Sequence, residues 1–221
     1  MSYLPAVELE SGAEPDAAVI WLHGLGADGH DFEPIVPELQ LPRRAAVRFV
    51  FPHAPQIPVT INAGYRMPAW YDILDAGIDR KVDLPQLMAS ANAVARLVDR
   101  ERERGVSSER IVLAGFSQGG AVAIQTALTY PARLAGLMGL STYFATRETI
   151  RPHAANSALQ VRIFHGTGDP MVPESIGRRG YEALLELGYD AVYKTYPMAH
   201  GVCQEEIEDI ALWLRRILDL D

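Results

Sequence analysis

The sequence predicts an α/β fold in which helices cover both faces of a mostly parallel sheet. Short apolar runs alternate along the chain with longer segments whose apolar residues recur at helical spacing. The short runs are continuously apolar, as expected for strands that are buried on both faces. A length of 221 residues suits one domain, so we expect residues 1–221 to form a single domain.

The predicted elements follow one another in a regular order. Strands are expected at residues 17–22, 46–51, 110–114, 135–140, 160–165 and 190–196. Helices are expected at residues 84–104, 118–129, 173–187 and 203–220. Gly105 and Gly188 are placed to end the first and third of these helices, and Pro131 stops the second. Ligands of such sheets bind beyond the carboxyl ends of the strands, so functional residues are expected there.

One segment, residues 52–83, does not fit this alternation. It is rich in proline and glycine, and it carries large apolar side chains: Tyr65, Met67, Trp70, Tyr71, Ile73, Leu74 and Ile78. A long irregular stretch inside a domain is usually functional or mobile. Two interpretations stand side by side, a surface loop held by a few apolar anchors and a flap that lines an apolar pocket.

Composition excludes several classes of protein. Hydrophobic residues make up 48% and charged residues 22%, which is typical of a globular chain. The net charge of −8 disfavours a general surface for nucleic acid or anionic membrane. The single cysteine, Cys203, excludes an internal disulfide and a cysteine-based zinc site. The histidines show no metal-ligand spacing, so neither a metal nor another cofactor is expected.

The candidate nucleophile is Ser117, in the motif Gly-Phe-Ser-Gln-Gly at residues 115–119. This G-x-S-x-G pattern lies between a predicted strand and a predicted helix, which is the setting of a sharp turn that exposes the serine hydroxyl. Glycines two residues away on either side leave room for the strand and the helix to approach. By chance alone the bare motif occurs in roughly several per cent of chains of this length, and the strand-to-helix setting strengthens it.

Elimination gives the base and the acid, since the expected chain order is serine, acid, histidine. His165 lies in or at the end of a strand and His153 in a polar loop, whereas His200 follows the last strand. Asp169 directly follows a strand, at the carboxyl edge, whereas Asp190 begins one. We therefore predict a Ser117–His200–Asp169 triad, with an Asx turn before Pro170 as the alternative role of Asp169.

The first strand leads into His23-Gly24-Leu25-Gly26, which indicates an oxyanion hole. The predicted donors are the main-chain N–H groups of Leu25 and Gln118, and a simple glycine turn is the alternative. The predicted substrate pocket combines flap residues with two residues that follow Asp169. Its members are Met67, Trp70, Ile73, Leu74, Met171 and Val172.

Taken together, these motifs resemble the carboxylesterase/acyl-protein thioesterase family of α/β-hydrolases. The matching stretches, in order, are WLHGLGADGHDF, MPAWYDI, GFSQGG, HGTGDPMVP and YPMAHGVC. The resemblance implies an α/β-hydrolase fold without a large lid domain, and it implies the same triad and oxyanion roles. Two positions depart from the family pattern: Thr142 follows Ser141 in the Ser-Thr-Tyr-Phe stretch at residues 141–144, where a smaller residue or glycine is expected, and Gly201 follows His200, where serine is common.

The expected reaction is hydrolysis of an ester with a short to medium apolar acyl chain through an acyl-enzyme. Thioester and lysophospholipid substrates share this chemistry, so an acyl-protein thioesterase or a lysophospholipase is an alternative. A non-catalytic binding protein of the same fold is the alternative from another class.

No apolar run is long enough to cross a bilayer and no secretory signal precedes the first strand, so we expect a cytoplasmic protein. A homodimer that packs through the flap and the region around Phe144 is a further hypothesis.

Overall fold

The computed structural model describes residues 3–77 and 80–221, so the flap residue Ile78 lies outside the described part. The described strands are β1 Ala6–Glu10, β2 Ala17–Leu22, β3 Val47–Pro52, β4 Gln56–Val59, β5 Tyr65–Pro68, β6 Ile73–Asp75, β7 Lys81–Val82, β8 Ile111–Phe116, β9 Gly136–Leu140, β10 Gln160–Gly166 and β11 Asp190–Tyr196. The described helices are α1 Ile35–Glu38, α2 Leu84–Glu103, α3 Gln118–Thr129, α4 Glu174–Glu186 and α5 Gln204–Ile217.

Seven strands form the central sheet in the order β1-β3-β2-β8-β9-β10-β11. All neighbours are parallel except β1, which pairs antiparallel with β3 at one edge. The predicted fold class is therefore confirmed. The edge strand β1 was not predicted, because Glu8 and Glu10 give it a polar face and a strand at an edge is only partly buried.

The sheet separates two apolar cores, and β2 shows how. Its residues Ala18, Ile20 and Leu22 pack in the core on the face covered by α2, α3 and α4. The alternate residues Val19 and Trp21 face the other core, which α1 and α5 cover. Successive side chains of a strand point to opposite faces, so each strand of the middle supplies both cores. Because both faces of these strands are buried, they appear in the sequence as continuous apolar runs.

The segment predicted to be an irregular flap consists of two β-hairpins in its described part. Strands β4 and β5 form one antiparallel pair, and β6 and β7 form the other. The strand signal was hidden because the pairs are short and Pro58 and Pro68 lie within them. The Gly26 N–H donates to the Pro68 carbonyl at 2.9 Å, which ties the first hairpin to the loop after β2.

Among the described residues, no large lid covers the carboxyl edge of the sheet, in agreement with the prediction. In the same part of the chain, no helix is both long and apolar enough to cross a membrane.

Candidate active site

Ser117 lies on the tight turn between β8 and α3. Its backbone has φ +52° and ψ −117°, a conformation that costs a non-glycine residue strain. Two hydrogen bonds hold the turn: Ser117 N–H donates to the Leu140 carbonyl at 2.8 Å, and the Thr142 hydroxyl donates to the Ser117 carbonyl at 2.6 Å. The neighbouring strand β9 and the residues after it therefore fix the backbone of the predicted nucleophile.

The glycines of the motif are required by close packing. A Cβ atom on Gly115 would lie 2.5 Å from the main chain of Gly119. A Cβ atom on Gly119 would lie 2.5 Å from the carbonyl oxygen of His23. Both distances are shorter than real carbon contacts, and the opposing atoms are main-chain atoms that cannot swing away. The spacing of glycines around Ser117 thus lets α3 pack directly on β8 and on the loop after β2.

His200 and Asp169, which lie 31 residues apart in the chain, are in direct contact. His200 Nδ1 lies 2.6 Å from Asp169 Oδ2, so Nδ1–H donates to the carboxylate and leaves Nε2 free to accept a proton. The Asp169 side chain is fully buried, and that of His200 is 18% exposed. The ring of Phe116 packs on the His200 ring with centroids 4.6 Å apart. The histidine is therefore held both by a hydrogen bond and by an aromatic neighbour.

The loop after β10 surrounds the Asp169 carboxylate with donors. Asp169 Oδ1 accepts hydrogen bonds from the Met171 and Val172 N–H groups at 2.8 and 2.9 Å. Burial alone would raise the pKa of Asp169, but the hydrogen bonds from His200, Val172 and Met171 lower it below its ordinary value. The carboxylate therefore stays charged. The same bonds form the Asx turn considered as the alternative role of Asp169, and this turn is compatible with the contact between Oδ2 and His200.

A second buried histidine supports this loop. His165 Nε2 lies 2.8 Å from the Val172 carbonyl and 3.6 Å from Asp169 Oδ2. Burial lowers the pKa of His165, so the ring is neutral and donates from Nε2 to the carbonyl. The sequence predicted a structural role for His165, and these contacts show that the residue supports the loop after β10.

Ser117 and His200 line one cavity of about 300 Å³, which also contacts Leu25 and Gln118. Four of the six predicted pocket residues are among its lining: Met67, Ile73, Met171 and Val172. The described lining includes neither Trp70 nor Leu74. Leu74 is 49% exposed on the outer side of its hairpin, and Trp70 is buried in the core behind the site. Sequence alone missed Ile61, Ala76 and Phe116, which also line the cavity.

The two predicted oxyanion donors differ in how they are placed. Gln118 is the first residue of α3, so its N–H has no acceptor within the helix and lies at the positive end of the helix dipole. Leu25 follows Gly24, whose hypothetical Cβ atom would lie 3.5 Å from the Ser117 Cβ. Both residues border the cavity that Ser117 lines, and their role as oxyanion donors stays a prediction.

Trp70 acts on the loop that carries Leu25, and this contact corrects its predicted place in the pocket. Trp70 Nε1–H donates to the His23 carbonyl at 2.9 Å, and the Trp70 main-chain N–H donates to Gln118 Oε1 at 2.9 Å. Gln118 Nε2–H donates in turn to the Tyr71 carbonyl at 2.7 Å. No motif signalled this network, because it joins side chains and backbone 47 or 48 residues apart.

Tyr143, which directly follows the family departure at Thr142, is held by a similar contact. The Tyr143 and Tyr71 hydroxyls lie 2.6 Å apart in the core, and the guanidinium of Arg80 lies 4.7 Å from the centre of the Tyr143 ring. Burial raises the pKa of Tyr143, so the hydroxyl is neutral. In the described ranges, no three His, Cys, Asp or Glu side chains are grouped so that they could hold a metal ion.

Comparison with known proteins gives a consistent result. A family model described as phospholipase/carboxylesterase matches residues 5–218. A protein named acyl-protein thioesterase 1 from Gibberella zeae is 38% identical over 94% of this chain and 93% of its own length. Another of that name from Mycosarcoma maydis is 36% identical over 94% of each chain. The crystal structure of acyl-protein thioesterase 2 from Zea mays matches with a TM-score of 0.86 and 27% identity over 98% of this chain and 100% of its own.

The family match spans nearly the whole chain and includes every motif around the cavity. The relatives are esterases and thioesterases of the serine hydrolase type, which favours an enzyme over the non-catalytic alternative. The chain therefore belongs to the phospholipase/carboxylesterase family of α/β-hydrolases and is an enzyme of the serine hydrolase class.

Proposed function

We propose that the protein hydrolyses carboxylic esters with short to medium apolar acyl chains through a Ser117–His200–Asp169 triad. The observation that carries this proposal is the 2.6 Å contact between His200 Nδ1 and Asp169 Oδ2 beside a cavity that Ser117 and His200 share. The strained turn at Ser117 supports the same role, since strain of this kind persists where the surrounding structure enforces it.

The reaction has two halves, and His200 serves in both. His200 Nε2 takes the proton of the Ser117 hydroxyl as the serine oxygen attacks the acyl carbonyl. The charge on the carbonyl oxygen is stabilised by the Leu25 and Gln118 N–H groups. His200 then donates the proton to the leaving group, which departs as an alcohol or thiol. Water, activated by the same nitrogen, releases the acid from Ser117.

The ion pair explains why Asp169 is needed. When His200 becomes positively charged, the buried Asp169 carboxylate stabilises it at hydrogen-bond distance. The lowered pKa of Asp169 keeps that carboxylate ionised while the imidazole changes its charge. The aspartate also keeps the proton on Nδ1, so that Nε2 is the nitrogen available to the serine.

An apolar acyl chain fits the remainder of the cavity. Ile61, Met67, Ile73, Met171 and Val172 line it away from the serine. Met171 is 63% exposed, so a bound chain would cover apolar surface that now faces solvent. Thioesters of acylated proteins are a second candidate substrate, favoured by the names of the curated relatives. A lysophospholipid is a third, since the family includes phospholipases.

The test is hydrolysis of p-nitrophenyl esters of increasing chain length by the wild type and Ser117→Ala. We expect the wild type to prefer one range of chain lengths and the variant to lose roughly four orders of magnitude or more in turnover. Cys203→Ala is the matched control, because Cys203 lies three residues after His200 and a thiol is another side chain that can act as a nucleophile. Full activity in Ser117→Ala, or loss of activity in Cys203→Ala alone, would overturn the proposal.

Three broader proposals accompany this function. The chain is proposed to be a single domain, since one sheet supports both apolar cores, and it is proposed to be cytoplasmic. A homodimer is proposed to form through exposed apolar side chains of the hairpins, Ile61, Tyr65 and Leu74. Phe144 is buried and takes no part in that interface. Sedimentation that detects only monomer at micromolar concentration would reject the dimer.

A further inference from the structure

A second opening adjoins the site on the other side of His200. It is a groove of about 430 Å³ between the α1 region and the start of α5. His200, Phe116 and Asp31 border both this groove and the cavity at Ser117. Ser117, Leu25 and Gln118 are absent from the described lining of the groove. The two openings therefore share the rings of His200 and Phe116 as a common wall, but the other side chains that line them differ.

The walls of the groove are apolar and its rim is acidic. Phe32, Ile35, Val202 and Ile207 supply apolar surface, and the carboxylates of Asp31 and Glu38 lie at its edge. Both acidic residues are exposed. In the described part of the chain, neither carboxylate has a hydrogen-bond or ion-pair partner. An apolar channel with unpaired negative charge at its rim is complementary to a group that has an apolar stem and a positive charge.

The chemistry of the triad assigns this groove to one half of the substrate. The acyl carbonyl must lie against the oxyanion donors, so the acyl chain belongs in the cavity that contains Leu25 and Gln118. The leaving group receives its proton from His200, so it must lie close to the His200 ring, which also borders the groove. The groove is the described opening that His200 borders without Ser117.

Gly201 keeps the entrance to this groove open. It directly follows His200 and lines the groove, and a Cβ atom added there would meet nothing within 4 Å. Its φ does not lie in the region that requires glycine. A larger residue would therefore fit the backbone and would project into free space next to His200.

We propose that this groove, defined by Phe32, Ile35, Val202 and Ile207 with Asp31 and Glu38 at its rim, binds the leaving group and favours leaving groups that carry a positive charge. The inference rests on the proposed esterase function and extends it to the alcohol or thiol half of the substrate. Two sources share the required chemistry, a choline-like head group and a thiol of a peptide with an adjacent lysine.

The first experiment compares two thioesters with the same acyl chain. One releases thiocholine, and the other releases its uncharged isostere 3,3-dimethylbutanethiol. After division by the rate of hydroxide-catalysed hydrolysis, we expect kcat/KM of the wild type to favour the cationic leaving group by roughly threefold to tenfold at low salt. The preference should fall as salt is added, since exposed charges are screened.

The double variant Asp31→Asn, Glu38→Gln should reduce this ratio to about one. Glu33→Gln is the matched control: it removes an acidic charge from the same segment, but Glu33 pairs with His30 at 2.7 Å and does not line the groove. The control should keep the wild-type ratio. If the wild type hydrolyses both thioesters with equal corrected rates, or if the double variant keeps the preference, the inference is wrong. If the wild type hydrolyses no ester or thioester, the proposed function itself has failed.

A steric variant tests the groove independently of charge. Gly201→Val should lower kcat/KM for bulky leaving groups relative to ethanethiol, while the order of preference for acyl chains stays as in the wild type. A change in acyl preference with no change in leaving-group preference would contradict the assignment.

Replacing thiocholine by an S-acylated cysteine peptide, with lysine or norleucine next to the cysteine, separates the two sources. A lysine preference favours a peptide, and a preference seen only with thiocholine favours a head group.

Discussion

At the scale of single residues, the site depends on side chains that hold two partners at once. Asp169 uses Oδ2 for His200 and Oδ1 for the turn formed by Met171 and Val172. Met171 and Val172 also border the cavity, so the turn that fixes the acid also shapes the pocket. Gln118 similarly combines a main-chain position at the start of α3 with a side chain that holds Trp70 and Tyr71.

Trp70 and Ile73, which are close in sequence, should have separable effects. Ile73→Ala enlarges the cavity that Ile73 lines, so we expect the preferred p-nitrophenyl ester to become longer. Trp70→Phe removes the donor to the His23 carbonyl without touching the lining, so kcat should fall roughly tenfold with the chain-length preference unchanged. Steady-state kinetics over the ester series checks both. A shifted preference in Trp70→Phe would show that this side chain reaches the acyl chain after all.

At the scale of elements, α5 contains a buried carboxyl in its first turn. Glu206 is fully buried, and burial, opposed by the Cys203 main chain, raises its pKa to about 8 from an ordinary 4.5. Below the unfolded-state pKa, both states hold the proton. As pH rises from about 4.5 to about 8, the unfolded chain loses this proton while the folded protein keeps it. The free energy of unfolding therefore falls through this range.

Glu206→Gln should remove this fall in the free energy of unfolding with pH, because glutamine stays neutral. Urea unfolding is measured at pH 5, 6, 7 and 8. The free energy of unfolding of the variant, relative to that of the wild type, should rise by up to about 1.4 kcal/mol per pH unit. Glu208→Gln, which alters an exposed residue of the same helix, is the control. A difference between Glu206→Gln and the wild type that is the same at every pH would show that the carboxyl is not held neutral.

At the scale of the whole molecule, the parallel sheet and the motifs at its edge were predictable because both are local in sequence. Strand β2 was predicted with its observed ends, since a continuous apolar run defines it. The two hairpins were not predicted, because their strands are short and partly buried and two of them contain Pro58 and Pro68. The edge strand β1 was not predicted either, because it is partly buried and its partner β3 is distant in the chain. The contact of Trp70 with His23 had no sequence signal for the same reason.

The central claim is that Ser117 is the nucleophile of a serine hydrolase, and covalent labelling tests it most directly. The protein is treated with a fluorophosphonate, and the adduct is located by intact mass and peptide mapping. We predict one adduct per chain, on Ser117, and none in Ser117→Ala under the same conditions. An adduct on another residue, or equal labelling of Ser117→Ala, would contradict the account.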